Sequence, residues 1–566
     1  MSITTRPTLT TPLRGLRRSI PATDKNGTSW AARAVLLWFL MLTGAVAYGN
    51  GLSPEPTVPA PTLLAPANPA NAITPTPDRT AVPEWFNDAG RPVAQVADAL
   101  AALLHADQQG LDPADYAAST LQQAFSTLPA QGPIPQQTAQ TLGERLTRQL
   151  THYLHDLRDG RIDPNRVHQK FDLPPKPPFD ATAYIAGALQ AGKLATALQQ
   201  ARPKVPMYDA VVNAMARYRK LEDDPAFMQN LPPLPGKKLT VGQPYAGLDL
   251  LRARLVGLGD LSSQTPLTAV YDDKLAEGIR SFQERHGLDA DGVIGAATFK
   301  ALQIPPARRV AQMALTLERL RWTPLQTHDR MIVVNIPEFS LRAYEVKDAG
   351  NIDLKLQMRV IVGRALDTST PLFDEKMRYI EFSPYWNVPP SIARAETLPH
   401  IKRDPAWFNQ QGFEFVLPDG SISTQVDTQN LTAVQSGRAR IRQRPGPHNA
   451  LGDIKFIFPN NTNIYLHHTP APQLFSRSRR DFSHGCIRIE APVELALFVL
   501  KNDPEWTRER IEEAMTAGTS KTIRLKEAIP VVLAYSTVIV QRNRVYFFDD
   551  IYGHDRQLAA ALKALN

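Results

Sequence analysis

The chain has 566 residues, 43% hydrophobic and 21% charged, which exceeds what one hydrophobic core serves and predicts three or four folded domains. Its net charge of +8 is uneven: Arg6, Arg14, Arg17, Arg18, Lys25 and Arg33 against Asp24 put +5 into the first 33 residues, leaving the remainder too dilute in charge to imply nucleic acid. A single cysteine, Cys486, excludes any disulfide within the chain.

Behind the basic segment, residues 34–47 are an apolar run ending in Ala45-Val46-Ala47. That order is a secretory signal with a small-residue cleavage site and predicts export. Retention of the run as an amino-terminal membrane anchor is the alternative, because residues 31–48 approach the length of a short span. Residues 48–83 are mostly Pro, Ala, Thr and Asn, too poor in large apolar side chains for a core, and predict an extended linker.

Residues 84–235 are rich in Ala, Leu and Gln. Helical spacing at 93–105, 114–125 and 138–157 predicts an all-helical scaffold. Asp112-Pro113 and Asp163-Pro164 are helix-start signals, and residues 173–178 are a proline loop.

Amphipathic spacing at 248–258 and 275–286 opens a smaller unit, 239–304. Phe282-Gln283, Gly287-Leu288, the run Asp291-Gly292-Val293-Ile294-Gly295, and Thr298 with Leu302 resemble the three-helix peptidoglycan-binding domain. The resemblance implies wall binding; a purely scaffolding module is the other reading.

After a linking helix within 305–329, the pattern changes to period two at 331–336, 340–346, 354–362, 378–382, 454–458 and 463–467. This predicts a mainly-β catalytic domain over 330–502, within a multidomain α+β chain. Residues 391–447 interrupt it as a mixed insertion, a candidate lid over the cleft. The tail, 503–566, has β-like stretches at 529–540 and 544–548 and a short helix, and is expected to pack on the catalytic or scaffold domain.

Cys486 lies in Ser483-His484-Gly485-Cys486-Ile487-Arg488, downstream of Tyr465-Leu466-His467-His468-Thr469-Pro470. Acyl transfer from an amide needs a nucleophile, a base and donors for the oxyanion. Cys486 supplies the thiol. His467, at a strand end, is the candidate base, with its second ring nitrogen expected on a backbone carbonyl near His468. The amides of Gly485 and Cys486 are candidate oxyanion donors. Arg488, two residues on, faces the side Cys486 faces and can bind a substrate carboxylate or lower the thiol pKa. The competing readings are a buried structural thiol, and zinc held by His467, His468, His484 and Cys486, whose spacing lacks the tight pairs of zinc motifs.

His-x-Thr-Pro followed by Ser-His-Gly-Cys-Ile-Arg resembles the active-site signature of the L,D-transpeptidase family, in its larger Gram-negative form with a peptidoglycan-binding module, helical scaffold and capping subdomain. The resemblance implies a periplasmic enzyme without cofactor. Cys486 attacks the L,D-peptide bond of a donor tetrapeptide stem, releases D-alanine, and passes the acyl group to an acceptor stem as a 3→3 cross-link. Hydrolysis, transfer to a lipoprotein lysine, and a non-catalytic wall-binding scaffold are the alternatives. Carried over to this chain, Cys486 is nucleophile, His467 base and Arg488 the motif arginine. Tyr465 lines the pocket, and Trp386 and Asn387 in Ser383–Pro390 flank it, although a core role for Trp386 competes. His484 and Ser483 are read as orienting or supporting residues, as is His468, which departs from the family pattern of Gly or Asp and leaves open which group orients His467. Expected partners are donor and acceptor stems, other peptidoglycan synthases and an inner-membrane tether.

Overall fold

The computed structural model describes residues 83–565 apart from 168, 172–177, 323–328, 348–351 and 366–367. The signal run, the linker as far as residue 82 and most of the proline loop lie outside the described residues.

The scaffold consists of helices Gln95–Leu104, Ala118–Ser126, Gln136–Asp159, Ala181–Gln190, Leu194–Gln200 and Pro206–Lys220. In the longest, Leu142, Leu146, Leu150, Tyr153, Leu154 and Leu157 are all buried, at steps that keep them on one stripe. The two Asp-Pro signals open single 3-10 turns, Pro113–Tyr116 and Pro164–Val167, rather than α-helices. At the first, Ala117 takes a φ of 48°, which breaks the helical path and delays the α-helix to Ala118.

The next unit contains helices Leu248–Gly257, Asp273–Arg285 and Ala296–Leu302. Its signature residues hold one another. Gln283, buried, donates from Nε2 to Asp291 at 2.9 Å, the Val293 carbonyl at 3.0 Å and Thr298 at 3.1 Å, and accepts from the Gly292 amide at 2.8 Å. The motif therefore builds the turn and core of the module before any ligand is considered.

The catalytic domain is mainly β. From the scaffold region, β1 (Gln169–Lys170) pairs in parallel with Leu372 and Phe373. After the linking helix Pro306–Trp322 come β2 (Arg330–Asn335), β3 (Ser340–Val346), β4 (Ile352–Gly363) and β5 (Leu372–Phe382). The insertion carries β6 (Trp386–Asn387), β7 (Phe413–Val416), β8 (Ile422–Ser423) and β9 (Arg440–Gln443). The chain returns as β10 (Ile454–Ile457), β11 (Leu466–His467), β12 (Asp481–Ser483), β13 (Ile487–Ile489) and β14 (Lys521–Ala534). A hairpin, β15 (Val538–Gln541) and β16 (Arg544–Phe547), and the helix His554–Lys563 end it.

Strands run in the order β5-β10-β11-β13-β4-β3-β2-β14, and β14 pairs again with β5, so the ladder closes on itself. Closure removes the edges that an open sheet would leave unpaired. It also corrects two boundaries. The catalytic domain extends past 502 to include β14, and the capping sheet, β6-β9-β7-β8, starts at Trp386 rather than 391. The cap has its own core around Ile401, Phe408, Phe415 and Ile441. The hairpin that follows β14 leaves the catalytic domain and buries Val538, Val545 and Phe547 in the scaffold core.

Candidate active site

In the sheet, Leu466 pairs with Ile487 and His467 with Arg488 on the parallel strands β11 and β13. Leu466 and Ile487 are buried in the catalytic core, so strand alternation turns Tyr465, His467, Cys486 and Arg488 to the opposite face. The Ile487 amide donates to the Tyr465 carbonyl at 3.1 Å, which sets Cys486 beside Tyr465 and diagonal to His467. With strands ~4.8 Å apart and ~6.6 Å between alternate residues, the Cα atoms of this diagonal lie about 8 Å apart, within reach of an imidazole and a thiol on one face. Tyr465 acts on both members: it favours the ionised thiol, and its ring stands edge-on to the imidazole at 5.7 Å. β11 ends at His467, the strand-end position of the candidate base.

Both groups rest uncharged. Burial, with Arg488 adding to it, pushes the His467 imidazole down to about 3, against hydrogen bonds to the backbone of His468 and Leu451 that favour the proton. Burial also raises the Cys486 thiol, although Tyr465, Lys455 and Arg488 all pull it down. Arg488 thus acts on the thiol in the expected direction, but desolvation outweighs the cations. The sulfur keeps partial solvent contact despite crowding on most sides, and donates weakly to the Asn463 carbonyl at 3.5 Å. Arg488 is lowered to about 10 by burial, and its Nε, buried, has no hydrogen-bond partner among the described residues.

The nucleophile loop is held from two sides. Ser483 Oγ donates to the Cys486 carbonyl at 2.6 Å and accepts from the Gly485 amide at 3.2 Å. Thr370 Oγ1 donates to the Gly485 carbonyl at 2.7 Å. Gly485 has a φ of 117°, a conformation side chains rarely adopt. Its amide, one of the two expected oxyanion donors, is engaged by Ser483 Oγ.

Comparison with known proteins agrees with this layout. The family model for the L,D-transpeptidase catalytic domain matches residues 329–510, one for a scaffold domain matches 78–215, and one described as "Putative peptidoglycan binding domain" matches 246–302. Residues 329–510 are thus similar to the L,D-transpeptidase catalytic domain. A Haemophilus influenzae protein named "Putative L,D-transpeptidase" is 30% identical over 298 residues, covering 52% of this chain and 58% of that protein. The match thus spans less than two thirds of the relative. Among solved structures, a Clostridium acetobutylicum fused Zn-dependent amidase/peptidase/peptidoglycan-binding protein is 12% identical, covers 53% of this chain and 99% of its own, and has a TM-score of 0.16. Bdellovibrio bacteriovorus Bd1075 is 13% identical, covers 42% and 55%, and has a TM-score of 0.15. At those scores neither superposition carries an argument.

The remaining predicted residues of the L,D-transpeptidase domain fall around the pair. His467 Nδ1 lies 2.6 Å from the His468 carbonyl, so the backbone of His468 orients the imidazole. The His468 side chain instead meets Asp453 at 2.7 Å. His484 Nε2 lies 2.7 Å from Glu396 of the cap, on the π-helical turn Ala393–Thr397. No group of three or more metal-ligating side chains converges among the described residues. Trp386 packs into the cap core near Phe413, ring centres 6.2 Å apart, and Asn387 is exposed on the cap sheet. Trp386 is only partly buried there, placed on the cap by the pairing of β6 with β9.

Sequence reasoning missed Lys455, Gly363 and Thr370. Lys455 pairs with His467 across β10 and β11 and lies 4.3 Å above the Tyr465 ring, with Glu381 3.6 Å away. Alternation along the predicted strand 454–458 was the signal for it. Gly363 and Thr370 reach the loop from the end of β4 and the turn beyond, where no local pattern marks them.

Proposed function

We propose that this chain is a cysteine-dependent L,D-transpeptidase that forms 3→3 cross-links between peptidoglycan stems on the periplasmic side. The observation that carries this reading is one sheet face bearing Cys486, His467 and Tyr465 beside Arg488, a buried cation with an unpartnered Nε. A guanidinium in that state suits a carboxylate of an anionic stem peptide. The exported localisation rests on the basic and apolar amino terminus, with cleavage or retention as an anchor both compatible with it.

The steps follow from the resting proton positions. The thiol proton passes to His467 Nε2 as the sulfur adds to the carbonyl of the bond between the third and fourth stem residues. The Cys486 amide receives the developing oxyanion. On collapse, the imidazolium gives its proton to the leaving amine of D-alanine, and a thioester remains on Cys486. An acceptor amine then loses a proton to His467, attacks the thioester and frees the sulfur. Uncharged partners at rest keep the thiol from reacting before a stem peptide excludes water.

Hydrolysis and transfer to a protein lysine use the same first half-reaction. Incubation with disaccharide-tetrapeptides and mass spectrometry of the products tests the proposal. Cross-linked dimers are expected. Tripeptide without dimer removes the cross-linking claim in favour of hydrolysis, and an unmodified substrate removes the enzyme reading.

A further inference from the structure

Tyr552 lies far beyond the catalytic signature, in the segment before the last helix. Its hydroxyl donates to the Gly363 carbonyl at 2.5 Å and accepts from the Thr370 amide at 3.2 Å, closing the turn between these two residues. Inside that turn the Gly363 amide donates to Thr370 Oγ1 at 2.9 Å, and the same hydroxyl donates onward to the Gly485 carbonyl at 2.7 Å. Thr370 is wholly buried. The turn and the nucleophile loop also meet directly: a Cβ on Gly363 would lie 3.0 Å from Gly485 Cα. Because Gly485 has a φ that favours glycine, its peptide depends on outside partners for orientation.

We propose that Tyr552 and Thr370 are positioning residues for the Cys486 nucleophile, through which the carboxy-terminal segment fixes the Ser483–Cys486 loop. The proposal rests on the reading of Cys486 as nucleophile. The brace is anchored at its far end. The Tyr552 amide donates to Tyr535 Oη at 2.9 Å, and that hydroxyl donates to Asp550 at 2.7 Å. Asp550 accepts from the amides of Asp555 and Arg556 at the start of the last helix. Asp555 in turn meets Arg319 of the linking helix at 2.5 Å and accepts from Thr537 at 2.6 Å. A continuous series of contacts thus leads from the linking helix to the sulfur-bearing loop, so the tail completes the site as well as the sheet.

The test uses the full chain with Tyr552→Phe, Thr370→Val and Thr370→Ser. Phe keeps the ring and Val the shape, so each removes a hydroxyl alone. Turnover of disaccharide-tetrapeptide is measured as kcat and KM, and the pH profile of Cys486 alkylation by iodoacetamide is measured alongside, with thermal melts to confirm folding. In Tyr552→Phe and Thr370→Val, kcat is expected to fall about tenfold with KM within about twofold, because a displaced nucleophile loses rate rather than substrate affinity. The alkylation midpoint is expected to move down toward that of an ordinary cysteine as the loop loosens into solvent. Thr370→Ser, which restores the hydroxyl, is expected to recover both. Wild-type kcat and an unmoved alkylation midpoint in the Phe and Val variants overturn the proposal. A wild-type chain that forms no peptide product, while the variants still shift the alkylation midpoint, removes the transpeptidase reading and leaves the positioning role standing.

Discussion

The carbonyl of His468 accepts the Nδ1 proton of His467 at 2.6 Å. A carbonyl only accepts, so Nδ1 carries the hydrogen and Nε2 is the nitrogen that the proposed mechanism uses as base. The contact belongs to the main chain. His467→Ala is therefore expected to lower kcat by roughly 10²- to 10⁴-fold with the fold retained, whereas His468→Ala keeps the carbonyl and loses less than about tenfold. Muropeptide turnover of the two variants checks this; equal losses would move the orienting role to the His468 side chain.

Arg488 is expected to separate stability from activity. A buried guanidinium with an unpartnered Nε costs free energy in the free protein, and an apolar side chain of similar length removes that cost. Arg488→Met should match or exceed the wild-type melting temperature while KM for the tetrapeptide donor rises at least about tenfold. A large fall in melting temperature would show that the cation is held by the fold and not reserved for substrate.

The acid side of the stability profile should carry the signature of His467. Its folded pKa is depressed to about 3 from 6.5, so the unfolded chain takes up its proton first as pH falls. The stability it supports is complete above about pH 6.5 and is lost progressively down to about pH 3. At ~1.36 kcal/mol per pH unit, that loss is on the order of 5 kcal/mol. Urea titrations of the catalytic-domain transition from pH 7 to pH 4 should show a smaller slope in His467→Asn. An unchanged slope would assign the acid sensitivity to other groups.

Gly363 is expected to tolerate no side chain. A Cβ there would lie 2.0 Å from the Thr368 carbonyl oxygen and 2.7 Å from the Thr370 amide nitrogen, both backbone atoms. Gly363→Ala should displace the turn that carries Thr370, with activity falling at least about 10²-fold. Wild-type turnover in this variant would show that the turn relaxes without disturbing Cys486.

The His484–Glu396 contact at 2.7 Å ties the nucleophile loop to the cap, yet both side chains are partly exposed, at 39% and 32%. Pairs of this kind contribute about 0–1 kcal/mol. Glu396→Gln is therefore expected to leave the melting temperature nearly unchanged and to speed hydrogen exchange in residues 393–403 by up to about fivefold. Exchange that remains at the wild-type rate would mean that the cap is held by its other contacts.

Local patterns in the chain determined much of this. The period-two runs, the helical stripe from Leu142 to Leu157 and the strand carrying His467 are legible because each depends on which side chains alternate between core and solvent. The motif around Cys486 is legible because a nucleophile, its glycine and its arginine must be near neighbours in sequence. Tertiary structure decided what depends on distant segments. Trp386 was placed on the cap because β6 found β9 as its partner. β14 entered the catalytic sheet because the ladder needed closing. Gly363, Thr370 and Tyr552 converge on Gly485 from separate parts of the chain. Charge state was also settled there: sequence shows cations beside a thiol, but only burial establishes that desolvation outweighs them and leaves Cys486 and His467 uncharged at rest.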